Sequence, residues 1–416
     1  MSIPARIAPG PAPATHRRTD FIRLWVAQTF SNLGDAIFLA SVAWSATSLF
    51  GDVQGAISVG LALFLPTALL LPLAGVIVDR YPRHRLLLNT DAVRAIVTAT
   101  LGIFLITQPM SLPLLLATVV IVQVTGLLFQ PSMHSLLGQV AQDDTTLLRF
   151  DSWLLASRMI ATILGPLVAG FVIVHGLGTA LLIDATTFCV SLLGLLAARR
   201  LLTTPSPAGP ATRTGILREA KEGVRVALAD PVFRKIAPTL PMIDLVGAAV
   251  TLLLPALLLQ HGVIDPKGYG LLISAWAVGR FSGLLLLRIP RMRAYRGTLM
   301  AVNCAAQALT VVAIALTPSL PLAVVLFVVL GIPSGGASVS VSAYIQTQIP
   351  NELRGRVFAL LQTTVTASVA LGPLLAGGIT AWRSPSSALV LMGLALFLVG
   401  VPPLISRSVR QWQPVK

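Results

Sequence analysis

Gly165-Pro166-Leu167-Val168-Ala169-Gly170 returns 207 positions later as Gly372-Pro373-Leu374-Leu375-Ala376-Gly377, and both copies sit inside long apolar runs. Sliding the chain along itself by that offset brings other residues into register: Gln139 meets Gln346, Arg149 meets Arg356, Leu154 meets Leu361 and Leu164 meets Leu371. Asp35 lands within two positions of Asp244, and Arg80 within one of Arg288. A self-match at half the chain length describes one unit, duplicated and fused.

The 416 residues are 55% hydrophobic and only 11% charged, against about 25% charged in soluble domains. So much apolar surface needs lipid around it, and the class is a polytopic membrane protein. A net charge of +15 raises nucleic acid as a partner. The basic residues, however, do not gather on one amphipathic face, and nucleic-acid binding is excluded. The two cysteines, Cys189 and Cys304, lie in apolar runs and read as small buried hydrophobes. No metal-ligand or disulfide spacing is present, so no metal or other cofactor is expected. No Gly-x-x-x-x-Gly-Lys loop occurs, which excludes ATP as the driving force.

From Phe21 onward twelve apolar segments follow one another, each near the ~20 residues that span a bilayer as a helix. They divide into six-segment halves over residues 21–198 and 236–406. Residues 1–20 read as a disordered tail, 199–235 as a linker ending in an interfacial helix from Ile216 to Leu228, and 407–416 as a second tail. The two tails and every second loop hold 25 of the 30 Lys and Arg residues; the opposite loops hold Lys267 and Arg383 alone. Positive charge collects on the cytoplasmic side, so both termini are expected there. Parallel repeats of this size in an apolar chain are the mark of a two-half secondary transporter.

Three stretches carry a family resemblance. Gly75-Val76-Ile77-Val78-Asp79-Arg80-Tyr81-Pro82-Arg83-His84-Arg85 resembles the gate loop of the major facilitator superfamily, with Pro82 in place of a glycine. Membrane anchoring alone would account for Arg83 and Arg85. It would not account for Asp79, whose charge has the wrong sign. The Gly-Pro-x-x-x-Gly of the fifth segment (Gly165, Pro166, Gly170) is similar to the superfamily's antiporter motif, and Gly372, Pro373 and Gly377 repeat it. The loop Pro350-Asn351-Glu352-Leu353-Arg354-Gly355-Arg356-Val357 resembles the signature of the branch that holds macrolide-efflux proteins, Tap-type multidrug pumps and the enterobactin exporter. Ser31-Asn32-Leu33-Gly34-Asp35 and Glu222-Gly223-Val224-Arg225 are similar to that branch as well. The resemblance implies an all-α fold of twelve transmembrane helices in two six-helix halves around a central cavity. It also implies a bacterial cytoplasmic-membrane location and a monomer. One departure is clear: the fourth segment, around Leu114 to Phe129, has no Arg where many drug:proton antiporters carry a proton-relay arginine.

A charge inside the bilayer costs roughly 3 kcal/mol or more, so each calls for a reason. The resemblance implies that the first and seventh segments line the substrate path, which places Asp35 and Asp244 there as proton carriers or cation ligands. An apolar cavity disfavours the charged form of a carboxylate, which suits proton binding and release. The bland alternative is that each bonds a neighbouring helix. Arg158, two turns before Gly165, could partner a cavity carboxylate, meet an anionic substrate or form a structural pair. Asp91 and Arg94, spaced i, i+3, read as an intrahelical ion pair supporting the gate loop. Asp184 and Arg280 stay unassigned, and Trp44, Trp153, Trp276 and Trp382 read as interface anchors or stacking surfaces. The expected function is proton-coupled efflux of a small, largely apolar drug or metabolite, with small molecules, protons and the lipid bilayer as partners. The alternatives are a dedicated siderophore exporter and a non-transporting sensor of the same fold.

Overall fold

The computed structural model describes residues 14–50, 53–140, 144–198, 224–225, 228–260, 262, 264–289, 292, 295–316 and 319–412. The expected interfacial helix from Ile216 to Leu228 lies almost wholly outside these residues. Among them, twelve helices run 20 residues or longer. The first six are α1 (Ala14–Phe50), α2 (Val53–Arg80), α3 (Arg83–Thr107), α4 (Leu112–Val140), α5 (Asp144–Val172) and α6 (Leu177–Ala197). The second six are α7 (Thr239–Gln260), α8 (Pro266–Leu286), α9 (Arg296–Ala315), α10 (Leu320–Gln348), α11 (Asn351–Trp382) and α12 (Pro385–Ile405).

Ten of these, α3 to α12, are long and apolar enough to cross a membrane. In α2 the apolar stretch is shorter, Ile57–Leu71, and α1 carries Gln28, Asn32 and Asp35 along its length. Both are nonetheless built into the first bundle, α1 against α5 and α6, and α2 against α4. Helix α1 reaches back to Ala14, seven residues into the stretch read as a tail.

The prolines do not break the helices. Pro66, Pro72, Pro255 and Pro333 all lie within continuous helix, as neighbouring helices allow by satisfying the freed carbonyls. Starts are capped where the loop is polar. Asp265 accepts the Gly268 amide at 2.8 Å with Pro266 at the first position of α8, and Ser384 accepts the Ser387 amide at 3.2 Å at the head of α12.

The duplication is visible in the packing. In the first half α1 meets α5 and α6, α3 meets α4 and α6, and α2 meets α4. The second half repeats each pairing, α7 with α11 and α12, α9 with α10 and α12, and α8 with α10. Two seams join the halves, α5 on α8 and α2 on α11, and they exchange under the same repeat. The chain end is tied down as well. Trp412 packs on Tyr344 with ring centroids 5.1 Å apart, and Tyr344 donates to both oxygens of Asp230 at 2.9 Å. Asp230 also receives the amides of Val232 and Phe233 at 2.8 Å, just ahead of a short helical turn, Phe233–Ile236.

Candidate functional site

Between the halves lies a cavity of about 320 Å³. Ala36, Leu39, Ala40 and Ala43 of α1 form one wall, and Ile243, Gly247, Ala248 and Thr251 of α7 form another, with Tyr269 and Ile273 of α8 between them. The surface is largely apolar, with two charges in it. Asp244 comes from α7 and Arg280 from α8. Arg280 is the charged group that acts on the Asp244 carboxylate, and its guanidinium also lies 5.2 Å from the Trp276 ring centroid. Gln307 faces the same space and donates to Asn303 at 2.7 Å. An apolar pocket with a few convergent polar groups is the usual form of a small-molecule site.

Asp244 is among the residues that line this cavity, and Asp35 is not. The Asp35 carboxylate is bonded to Arg94 of α3.

Around Arg94 a polar cluster is assembled from three helices. The Asp91 carboxylate is 4.0 Å from the guanidinium, so the i, i+3 pair exists, but the closer partner is Asp35. The guanidinium lies 4.1 Å above the Phe188 ring of α6 and faces Gly126 of α4. Asp184 of α6 stands against Gly34 of α1, where a methyl group would come within 2.6 Å of the carboxylate. The Asp184 and Asp91 side chains are fully buried, and Asp35 keeps 38% of its side chain exposed.

Arg158 reaches neither the cavity nor this cluster. It bonds Gln130 of α4 and lies 3.2 Å from His134, which is 3.4 Å from Asp151.

The two copies of the Gly-Pro motif have matching placements. Gly165 abuts Ala36 of α1, and Gly372 abuts Leu245 and Ala248 of α7, each within its own half. The second glycine of each copy faces the other half. A methyl at Gly170 would come within 2.7 Å of the Pro266 carbonyl at the head of α8, and one at Gly377 would strike Ile57 of α2. Pro373 completes that seam against Gly60, and Pro166 stands against Gly270. Lys267 adds a cation–π contact across the first seam, 5.3 Å from the Phe171 ring.

In the gate loop, Gly75 and Asp79 fall in the last turns of α2, and their side-chain positions lie outside the described residues, as does the Glu352 side chain. Arg80 and Arg85 are exposed; Arg83 is half-buried at the first turn of α3. Pro350 precedes α11, and Arg354 donates from Nε to the Ile349 carbonyl at 2.9 Å, tying the start of α11 to the end of α10. Gly355 is exposed and Arg356 half-buried in the first turns of α11.

Sequence reasoning left Arg280 and Asp184 unassigned and read Trp276 as an interface anchor or stacking surface; Arg280 and Trp276 line the cavity, and Asp184 stands in the polar cluster. Arg280 and Trp276 are spaced i, i+4, the spacing that puts two side chains on one helix face. That pairing was readable. Nothing in the sequence says that Asp184 opposes Gly34.

The chain matches the family described as transmembrane secretion effector over residues 11–414. It is 25% identical over 407 residues to the multidrug efflux pump Tap of Mycolicibacterium fortuitum, covering 95% of this chain and 97% of that one. It is 27% identical over 391 residues to the Tap pump of Mycobacterium tuberculosis strain H37Rv, covering 91% of each. A shorter match, 28% over 245 residues, is to the enterobactin exporter EntS of Escherichia coli strain HS, covering 58% of this chain and 57% of the exporter. Among solved structures, a bacterial homolog of the human lysosomal transporter Spinster, inward-facing and unoccupied, superposes with a TM-score of 0.73 at 18% identity, covering 97% of this chain and all of that one.

Proposed function

The chain belongs to the transmembrane secretion effector family of major facilitator transporters, and on that premise we propose that it exports a small, largely apolar molecule by alternating access, driven by protons entering the cell. It is a multi-pass membrane protein that carries small molecules. In this reading it works as a monomer in the bacterial cytoplasmic membrane, with both termini in the cytoplasm. Residues 21–198 and 236–406 form the two halves that rock about the cavity.

The observation that carries the reading is the apolar cavity between the halves, with Asp244 and Arg280 in its wall. A carboxylate there answers a cationic substrate, and protonating it releases that substrate. Proton and substrate thus bias one two-state equilibrium from opposite sides. Asp35, tied to Arg94 on the helix that also lines the cavity, is the second proton-linked carboxylate. The seams at Gly170 and Gly377 close one end of the cavity. By the charge distribution of the loops that end is the outer one, which makes this state inward-facing.

Ethidium uptake into inverted membrane vesicles with an imposed pH gradient tests the proposal. The parent protein accumulates the dye, collapse of the gradient abolishes the uptake, and Asp244→Asn loses most of it. Uptake indifferent to the gradient would overturn proton coupling, and no uptake of ethidium or of any other amphiphile would overturn export. The siderophore reading has one observation in its favour, the Arg280 guanidinium over Trp276, which suits an aromatic anion. It predicts that Arg280→Ala, and not Asp244→Asn, abolishes transport.

A further inference from the structure

The polar cluster of the first half has three carboxylates and one cation. Asp35 and Arg94 balance each other. Asp91 and Asp184 remain, both fully buried, and among the described residues neither carboxylate has a cation beside it except the Arg94 already bonded to Asp35. Of the hydroxyls beside them, Thr187 donates to the backbone carbonyl of Asp184 at 2.7 Å, while Ser191 accepts from Gln28 of α1 at 3.1 Å and keeps its own proton for the Asp91 carboxylate. Two uncompensated negative charges inside one membrane-embedded bundle are not sustainable. Such groups give up the charge instead. Among the described residues no three His, Cys, Asp or Glu side chains are arranged to hold a metal ion, and the geometry offers a proton as the counterion.

We infer that the Asp184 carboxyl, with Asp91 behind it, is a proton-binding site separate from the substrate cavity, and that α1 connects the two. Helix α1 presents Asp35 to the cluster and Ala36, Leu39, Ala40 and Ala43 to the cavity. Gly34, one residue earlier, faces Asp184 and Thr187. The charged groups acting on Asp184 come from each packed helix: Asp35 from α1, and Arg94 and Asp91 from α3. Helix α4 sets Gly126 against the guanidinium. When the Asp184 carboxyl takes a proton, Arg94 is left to Asp35 and the more distant Asp91. When the proton leaves, the carboxylate competes with Asp35 for Arg94, and the bond that holds α1 to α3 is loosened. The same helix then moves a cavity wall. Proton and substrate need not meet in one pocket, and the coupling is a shared helix.

The coupling role rests on the proton-driven export proposed above; proton occupancy of the site does not. The test is therefore a binding measurement. The full-length protein is reconstituted in lipid, and infrared difference spectra between acidic and alkaline buffer are read for the carbonyl stretch of a protonated carboxyl. The parent shows that band at neutral pH. Asp184→Asn removes the larger part of it, Asp91→Asn shifts or shrinks it, and Asp244→Asn leaves the remainder in place. Replacing sodium in the buffer by N-methylglucamine changes nothing. The inference is overturned by absence of the band in the parent, by a band that survives Asp184→Asn intact, by a band lost wholly in Asp244→Asn, or by one that sodium displaces. Should Asp184→Asn fail to yield a folded protein by its melting curve, the parent and Asp91→Asn spectra decide on the same criteria. A correct band with gradient-independent dye uptake would leave the site standing and overturn the export mechanism.

Discussion

Arg94 on α3 and Asp35 on α1 are bonded to each other inside the first half of the molecule, with only 6% of the Arg94 side chain exposed. The pair joins two helices that the packing otherwise connects through α6. Its strength depends on context, because a buried ion pair earns little until one partner is removed.

Replacing Arg94 by Met leaves three carboxylates with no cation. Breaking a buried pair in this way costs ~3–5 kcal/mol, and the partial exposure of Asp35 sets the expectation at the lower end of that range. The melting temperature in detergent should fall clearly. Arg94→Lys should recover less than half of the loss, because an ammonium cannot serve the carboxylate and lie flat over Phe188 as the guanidinium does. Full rescue by Lys would show that charge alone matters at this position.

In the cavity, Asp244 and Arg280 are expected to act in opposite directions on substrates of opposite charge. Asp244→Asn should weaken binding of a lipophilic cation by roughly 10–100-fold, the value of a charge-assisted contact of about 1.5–3 kcal/mol. Arg280→Ala should strengthen it, since the carboxylate loses its competing partner. Binding of tetraphenylphosphonium by the purified protein, measured by equilibrium dialysis, decides the signs.

Trp276→Ala should lower transport of aromatic substrates while sparing non-aromatic ones. The indole lines the cavity and lies beneath Arg280, and stacking with a cation contributes ~0.5–2 kcal/mol. Paired uptake assays of ethidium and a tetraalkylammonium give the ratio. Equal loss for both would mean that Trp276 only shapes the helix.

At the seams, Gly170→Leu and Gly377→Leu should hold the halves apart, because a side chain there strikes Pro266 or Ile57. Overpacking costs on the order of 1–3 kcal/mol, enough to move a two-state balance about tenfold. Ala40→Cys, in a Cys189→Ser background, should then react with an impermeant maleimide from outside cells. The same cysteine with Gly170 and Gly377 intact should react slowly.

Tyr344→Phe should destabilise the protein by about 1.5–3 kcal/mol, since both Asp230 oxygens lose a donor. The two amides that Asp230 also accepts set the expectation near the lower figure. Thermal unfolding of the purified variant measures it.

Much of this architecture could be read from residues alone. Repetition of the Gly-Pro-x-x-x-Gly stretch at half the chain length announced a duplicated unit. The apolar runs announced helices in lipid, because a bilayer leaves the backbone few other ways to satisfy its polar groups. What could not be read was direction. Asp35 and Asp244 looked equivalent, yet Asp35 is bonded to Arg94 within its own bundle while Asp244 stands in the cavity wall, and only packing shows which face of each helix meets which neighbour. Asp184 gave no local sign of its importance, because its meaning comes from Gly34, Asp35, Asp91 and Arg94, all of them roughly a hundred residues away or more. Composition and the length of its apolar runs determine that a chain enters the membrane as helices. Which charges meet is decided by long-range contacts, since inside lipid a charge must find its partner wherever the bundle places one.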